Sequence, residues 1–312
     1  MSSLASSAHY WVRMHAGADS EIHKIEPLAG ATSSELYELE VRVAEKTKKF
    51  VLRLFTNKEW LAEEPDLALH EAESLKQAGK LSIPVPKLIA YDKNGSQCGE
   101  PAVMMTKVDG NVELQPATLD NWLDQMAITL SKVHSLDTEA FSWHYFSYTD
   151  LSTVDVPKWS SRPDLWDRAI HIVKGPKPQI RECFIHRDFH PANVLWQDGQ
   201  VSGVVDWTST CLGPVWVDVG HCRANLAMLH GPWAADRFLH TYQSVTEDRF
   251  HYELYWDLLA FFDFILPGPP QVYEGWPAFG VHHLSNRRMR ERADQYLNQL
   301  INRGETHGHS SV

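Results

Sequence analysis

The segment FIHRDFHPANVLWQDGQVSGVVDW, Phe184 to Trp207, decides the reading of this chain. Val194 to Gln197 and Val201 to Val205 are short apolar runs separated by Asp198-Gly199, a dipeptide suited to a tight hairpin turn. His186, Asp188 and Asn193 precede the first run, and Asp206 follows the second. An antiparallel hairpin returns both ends to one side, so the spacing predicts Asp206 next to Asp188 and Asn193. Two carboxylates and an amide gathered in this way repel and desolvate one another unless a cation or a proton is shared. Oxygen donors of this kind suit a hard metal such as magnesium, which takes one or two carboxylates and fills its shell with water and phosphate oxygens.

On the N-terminal side of this segment, strand-like runs dominate. EIHKIEPL (Glu21 to Leu28), ELYELEVRV (Glu35 to Val43) and KFVLRLF (Lys49 to Phe55) read as three strands. In the second, the apolar positions Leu36, Leu39 and Val41 fit a period of two only with a bulge. Pro65 to Gly79 reads as a helix stopped by glycine, and IPVPKLIAYD and PAVMMTKV as two further strands. After Asp109-Gly110 the texture turns helical, over Leu119 to Leu136, Val217 to Leu229, Trp233 to Ser244, Arg249 to Leu266 and Ser285 to Arg303. A strand-rich part followed by a helix-rich part predicts an α+β chain of two lobes, 1–107 and 108–312, with the site in the cleft between them.

Bulk properties narrow the function. The formal net charge of -11 argues against general nucleic-acid binding, which relies on lysine and arginine neutralising phosphates. No run is long and apolar enough for a membrane span. The N-terminus lacks the basic start and apolar core of a secretion signal, which points to a cytoplasmic protein. The four cysteines form no CxxC pair, so reduced thiols are expected.

HRDFHPAN followed by VVDW resembles the catalytic loop and metal-binding aspartate of the protein-kinase-like fold. The pattern HxDxHPxN with a later DW is most similar to the aminoglycoside phosphotransferase family, which includes choline, homoserine and fructosamine kinase relatives. The resemblance spans about Ile22 to Asn302. It implies a bilobal fold, with a small antiparallel-sheet N-lobe and a larger helical C-lobe. It also implies transfer of the γ-phosphoryl group of ATP or GTP, with Mg2+, to a hydroxyl of a small acceptor such as an amino sugar or amino alcohol. By this resemblance Asp188 accepts the proton of the acceptor hydroxyl, Asn193 and Asp206 bind magnesium, His186 keeps the catalytic loop in shape and Asp218 braces it. The rival function is a nucleotide-binding sensor or scaffold without transferase activity, disfavoured because all three motif residues are present.

In KKFVLRLF, Arg53 falls in an apolar run, where an unpaired charge is costly and anionic partners are needed. The resemblance supplies one in Glu71, forming a pair that positions the nucleotide phosphates. A lysine is usual at this position in protein kinases, but a guanidinium binds phosphate and carboxylate in a bidentate, permanently charged way. LAGATSS, Leu28 to Ser34, takes the place of the nucleotide-covering loop, with Gly30 and Ser33 as its phosphate-facing residues. AVMMTKVDG takes the place of the hinge, with Met105 beside the adenine.

His186 and His190 are spaced like a zinc pair, but an HExxH glutamate is missing and Pro191 opposes a helix through them. For the acceptor, the aromatic helix RFHYELYWDLLAFFDFILPGPP offers Glu253 and Asp257, four residues apart, with Asp263 at their flank. Carboxylates on an otherwise apolar helix suit a cationic acceptor, although ordinary solvated positions explain them as well.

Overall fold

The computed structural model describes residues 4–28, 34–138, 140–179, 181–247 and 249–308. The chain forms two compact units: Met1–Gly110 together with Ser202–Thr210, and Asn111–Val201 together with Cys211–Val312. The short stretch carrying Asp206 thus folds with the N-terminal part, although it lies far along the chain.

The first unit opens with helix α1 (Ser6–Ala16), followed by strands β1 (Glu21–Pro27), β2 (Glu35–Val43) and β3 (Lys46–Leu54). Helices α2 (Lys58–Glu63) and α3 (Leu67–Ala78) lead to β4 (Leu88–Asp92) and β5 (Ala102–Thr106). The five strands form one antiparallel sheet in the order β1-β2-β3-β5-β4. On β2 the buried face is Tyr37, Leu39 and Val41, and its register with β3 runs unbroken from Glu35 opposite Leu54 to Val43 opposite Lys46. The bulge expected in β2 is therefore absent. The phenol of Tyr37 buries its ring while its hydroxyl donates to Glu35, so an amphipathic residue takes the inward place the sequence reading gave to Leu36. The register shift lies instead on the edge strand β1, between Ile22 and Lys24. Trp11 and Val12 of α1 join Leu39, Val41, Phe50, Leu52 and Met104 in the core. The sequence reading passed over α1, which buries Ala8, Trp11, Val12 and Ala16.

The second unit begins with the short β6 (Asn111–Val112) and the helices α4 (Leu119–Val133) and α5 (Pro163–Val173). Strand β7 (Glu182–Ile185) precedes the quoted motif, β8 (Val194–Gln197) follows it, and β9 (Gln200–Val204) leaves this unit after Val201. Strand β10 (Cys211–Pro214) pairs antiparallel with β7, and β6 with β8. The remaining helices are α6 (Val215–His230), α7 (Pro232–Thr246), α8 (Leu254–Ile265) and α9 (Asn286–Gly308). Helix α6 is buried on nearly every side, its polar residues Asp218, Arg223 and Asn225 included. A Cβ at its Gly220 would lie 2.8 Å from Ala260 Cβ and 3.1 Å from Asp257 Oδ1, so glycine permits the close approach of α8. Among the described residues, no helix is long and apolar enough to cross a membrane.

Candidate active site

In the second unit, β7 delivers the chain into the motif at Ile185, and Arg187 then adopts a left-handed backbone with φ of 68°. A non-glycine residue holds this conformation only where its surroundings compensate. Asp218, fully buried near the start of α6, does so: its Oδ2 accepts the backbone N–H of His186 at 2.7 Å and its Oδ1 that of Arg187 at 2.5 Å. His134 lies 3.1 Å from the same Oδ2, and its other ring nitrogen meets Tyr242 Oη at 2.7 Å. His186 is itself fully buried. The Arg187 side chain turns away into an aromatic cage, its guanidinium carbon 4.2 Å from the Phe146 ring centre and 4.3 Å from that of Tyr148.

This turn leaves the Asp188 side chain 37% exposed and flanked by three groups. Oδ1 lies 3.2 Å from His221 Nε2 and 3.6 Å from His190 Nε2. The Asn193 amide nitrogen donates to Oδ2 at 3.1 Å and to the Asp188 backbone carbonyl at 2.9 Å. Burial raises the carboxyl's pKa, but the neighbouring imidazoles of His190 and His221 outweigh it and hold the group well below the usual carboxylate range. Both N–H bonds of the Asn193 amide are spent on Asp188, which leaves its Oδ1 as an acceptor. His190 also accepts the Ala192 N–H on its Nδ1 at 3.2 Å, capping the single turn Pro191–Asn193.

In the first unit, Arg53 is buried on β3 and reaches three partners. Nη2 donates to Asp206 Oδ1 at 3.0 Å, Nη1 to Ser34 Oγ at 3.0 Å, and Nε lies 3.1 Å from Glu71 Oε1. A second hydrogen on each Nη remains. Glu71, on α3, is 1% exposed, and neither of its oxygens has a hydrogen bond of good geometry. Burial therefore dominates over the Arg53 charge and raises its pKa to about 7. Asp206 has φ of 67°, and its Oδ1 also takes the Thr208 hydroxyl at 3.0 Å, so the arginine and the threonine share one carboxylate oxygen. Trp207, fully buried, donates its indole N–H to Val204 O.

The remaining site candidates separate. Met105 is 5% exposed on β5, opposite Val51. Gly30 and Ser33 lie outside the described residues. The three carboxylates of the aromatic helix take different surroundings. Asp257 is fully buried and bonds Arg223, Tyr252 and Tyr296. This corrects the reading of Asp257 as an acceptor contact: a carboxylate inside the helical core reaches its counter-charge there. Asp263 binds Tyr145 Oη at 3.1 Å, Ser147 Oγ at 2.8 Å and the Thr149 N–H at 3.0 Å, and so fixes the 145–149 loop. Glu253 stands at the N-cap of α8. Sequence reasoning missed His221 and His134, whose partners are distant in sequence; it placed Ser34 in the nucleotide-covering stretch and saw His190 only as half of a zinc pair. For His221 a signal existed, since it follows Asp218 by three residues on the same helix.

Residues 24–255 match the model of a family described as the phosphotransferase enzyme family. Solved structures share the fold at low identity. A Ralstonia eutropha protein named for the aminoglycoside phosphotransferases aligns with a TM-score of 0.62 at 15% identity, over 95% of this chain and 98% of the other. A thermostable mutant of the aminoglycoside phosphotransferase APH(4)-Ia, in a ternary complex with ADP and hygromycin B, aligns with a TM-score of 0.59 at 14% identity, over 96% and 99%. The macrolide 2'-phosphotransferase MphH from Brachybacterium faecium aligns with a TM-score of 0.54 at 14% identity, over 88% and 92%.

Proposed function

Because this chain belongs to the phosphotransferase enzyme family, we propose that it transfers the γ-phosphoryl group of ATP or GTP to a hydroxyl of a small, soluble acceptor. The observation that carries this reading is the pairing of Asp188 with Asn193. The amide spends both N–H bonds on the aspartate and keeps its oxygen as an acceptor, while Asp188 Oδ2 retains lone pairs for a hydroxyl proton.

In this reading the acceptor oxygen bonds to the γ-phosphorus as the bridge to the β-phosphate breaks. Asp188 orients the hydroxyl and takes its proton, and the nucleoside diphosphate leaves. Arg53, braced by Glu71, clamps the phosphates with its remaining N–H bonds. Asn193 Oδ1 and the second oxygen of Asp206 would hold magnesium, whose charge neutralises the phosphate oxygens in the transition state. The donor set fits a hard cation, since each residue presents an oxygen not spent on another partner. The gain comes from positioning and charge neutralisation, with no covalent enzyme intermediate. Similarity to proteins named for aminoglycosides and a macrolide supports an acceptor of the same broad kind, a hydroxylated small molecule; amino sugars and amino alcohols are the first class to screen.

The test is a thermal-shift titration with ATP, GTP and a non-hydrolysable analogue, each with and without magnesium, followed by a phosphate-transfer screen over amino sugars, amino alcohols and macrolides. A stabilisation that needs nucleotide and metal together supports the reading. No shift at millimolar ligand, and no transfer to any acceptor, would overturn it.

A further inference from the structure

We propose that His221 is a positioning residue that fixes the Asp188 carboxylate, so that Oδ2 is the oxygen that receives the acceptor's proton; this rests on the reading of Asp188 as the catalytic residue. His221 lies one turn beyond Asp218 on α6. The same helix therefore grips the loop backbone through Asp218, at the N–H groups of His186 and Arg187, and the reactive side chain through His221, at 3.2 Å from Oδ1.

The position of each ring proton follows from its surroundings. His190 accepts the Ala192 N–H on Nδ1, so its proton sits on Nε2 and faces Asp188. His221 Nε2 lies between Asp188 Oδ1 and Asn225 Nδ2, the latter at 3.3 Å. An amide nitrogen only donates; one of the two Asn225 hydrogens goes to the His221 carbonyl at 3.1 Å, and the other would need a bare Nε2. The charge of the carboxylate, at ion-pair distance from that nitrogen, outweighs the neutral amide, and favours the His221 proton on Nε2. Two imidazoles then crowd Oδ1, His221 at 3.2 Å and His190 at 3.6 Å, while Oδ2 takes the Asn193 amide. Phe264, edge-on to His221 with ring centres 6.0 Å apart, backs the imidazole from α8.

The same three donors, Asp188, His190 and His221, lie within 4.8 Å of one another, a grouping also suited to a metal ion. The Ala192 bond argues against that use. A metal on His190 Nε2 would push the ring's proton onto Nδ1, against the backbone N–H it now accepts. The pair of histidines reads as a clamp on a carboxylate.

Two measurements on the full chain decide the matter. The first needs no turnover: long-range proton–nitrogen NMR of the histidine rings, with His221 assigned through His221→Gln. A proton on His221 Nε2, and movement of the His221 and His190 ring signals in Asp188→Ala, is the expected result. A bare His221 Nε2, or ring signals that ignore Asp188→Ala, would overturn the proposal.

The second measurement follows ADP release from ATP and magnesium, with water as the acceptor. His221→Ala should lower kcat on the order of ten- to a hundredfold with the KM for ATP within about twofold. His221→Gln, whose amide can donate from the same place, should restore most of the rate. Loss in Asp188→Ala with none in His221→Ala overturns the positioning role alone. A wild-type rate in Asp188→Ala overturns the catalytic reading beneath it.

Discussion

Arg53 joins two carboxylates from distant parts of the chain: its Nη2 lies 3.0 Å from Asp206 Oδ1 while its Nε lies 3.1 Å from Glu71 Oε1. One side chain thus ties the end of β9 to helix α3 across the sheet of the first unit. Arg53→Ala would leave two acidic groups facing each other, one fully buried, at a cost of about 3–5 kcal/mol by analogy with other broken buried pairs. Arg53→Lys should cost less in stability. A single ammonium cannot reach Ser34, Asp206 and Glu71 together, so nucleotide affinity should fall about tenfold. Urea denaturation and nucleotide titration separate the two effects.

Glu71 sets a pH dependence. Its pKa in the folded protein, about 7, stands above its ordinary value of 4.5, so the folded state holds this proton more tightly than the unfolded state does. Its contribution to stability is present in full below about pH 4.5. It is lost as pH rises to about 7, and amounts to at most about 3 kcal/mol. Glu71→Gln should remove this slope. Denaturation midpoints of both proteins at pH 5 and pH 8 check it; parallel behaviour would count against a strained, buried carboxyl.

Asp188 and Asp206 should fail in different ways. Asp188→Ala removes the proton acceptor and should abolish transfer while magnesium-dependent nucleotide binding persists. Asp206→Ala removes a metal ligand and an Arg53 partner, and should weaken nucleotide binding itself by tenfold or more, on the order of 1.4 kcal/mol per decade. Calorimetry with a non-hydrolysable nucleotide distinguishes them. Identical behaviour of the two variants would break the division of roles.

The thiols should be inert in the native protein. Burial raises Cys98, Cys183 and Cys211 to about 12 and Cys222 well above its ordinary value, and all four are free. Only the thiolate attacks, so a colorimetric disulfide reagent at pH 8 should label almost nothing until denaturant is added, and then four groups.

The buried pair of Arg223 and Asp257 should matter more to folding than to substrate. Arg223 also binds Asp236 at 3.0 Å and the Ala235 carbonyl at 3.2 Å, so Asp257→Ala leaves a fully buried cation short of its closest partner. A loss of about 3–5 kcal/mol is expected, with the KM for any acceptor unchanged in protein that still folds. A raised acceptor KM at unaltered stability would return Asp257 to the binding surface.

Much of the element order is legible in the sequence, from β1 to β5, in the β8–β9 hairpin and in the later helices, while α1, α2 and α5 are not. The candidates Asp188, Asn193 and Asp206 stand out because they sit within one short segment, where turn residues and alternating apolar runs are local signals. The strands β2 and β3 were legible for the same reason, although Tyr37 was passed over as the inward residue because an aromatic with a polar tip reads as amphipathic. The long-range relations come from the folded chain alone: that Asp257 is neutralised by Arg223, that Ser34 and Asp206 share Arg53, and that His221 lies beside Asp188. Side chains far apart in sequence meet through the packing of whole helices, and the direction in which a helix presents a histidine depends on the neighbour against which it is buried. Local propensity carries no record of that neighbour.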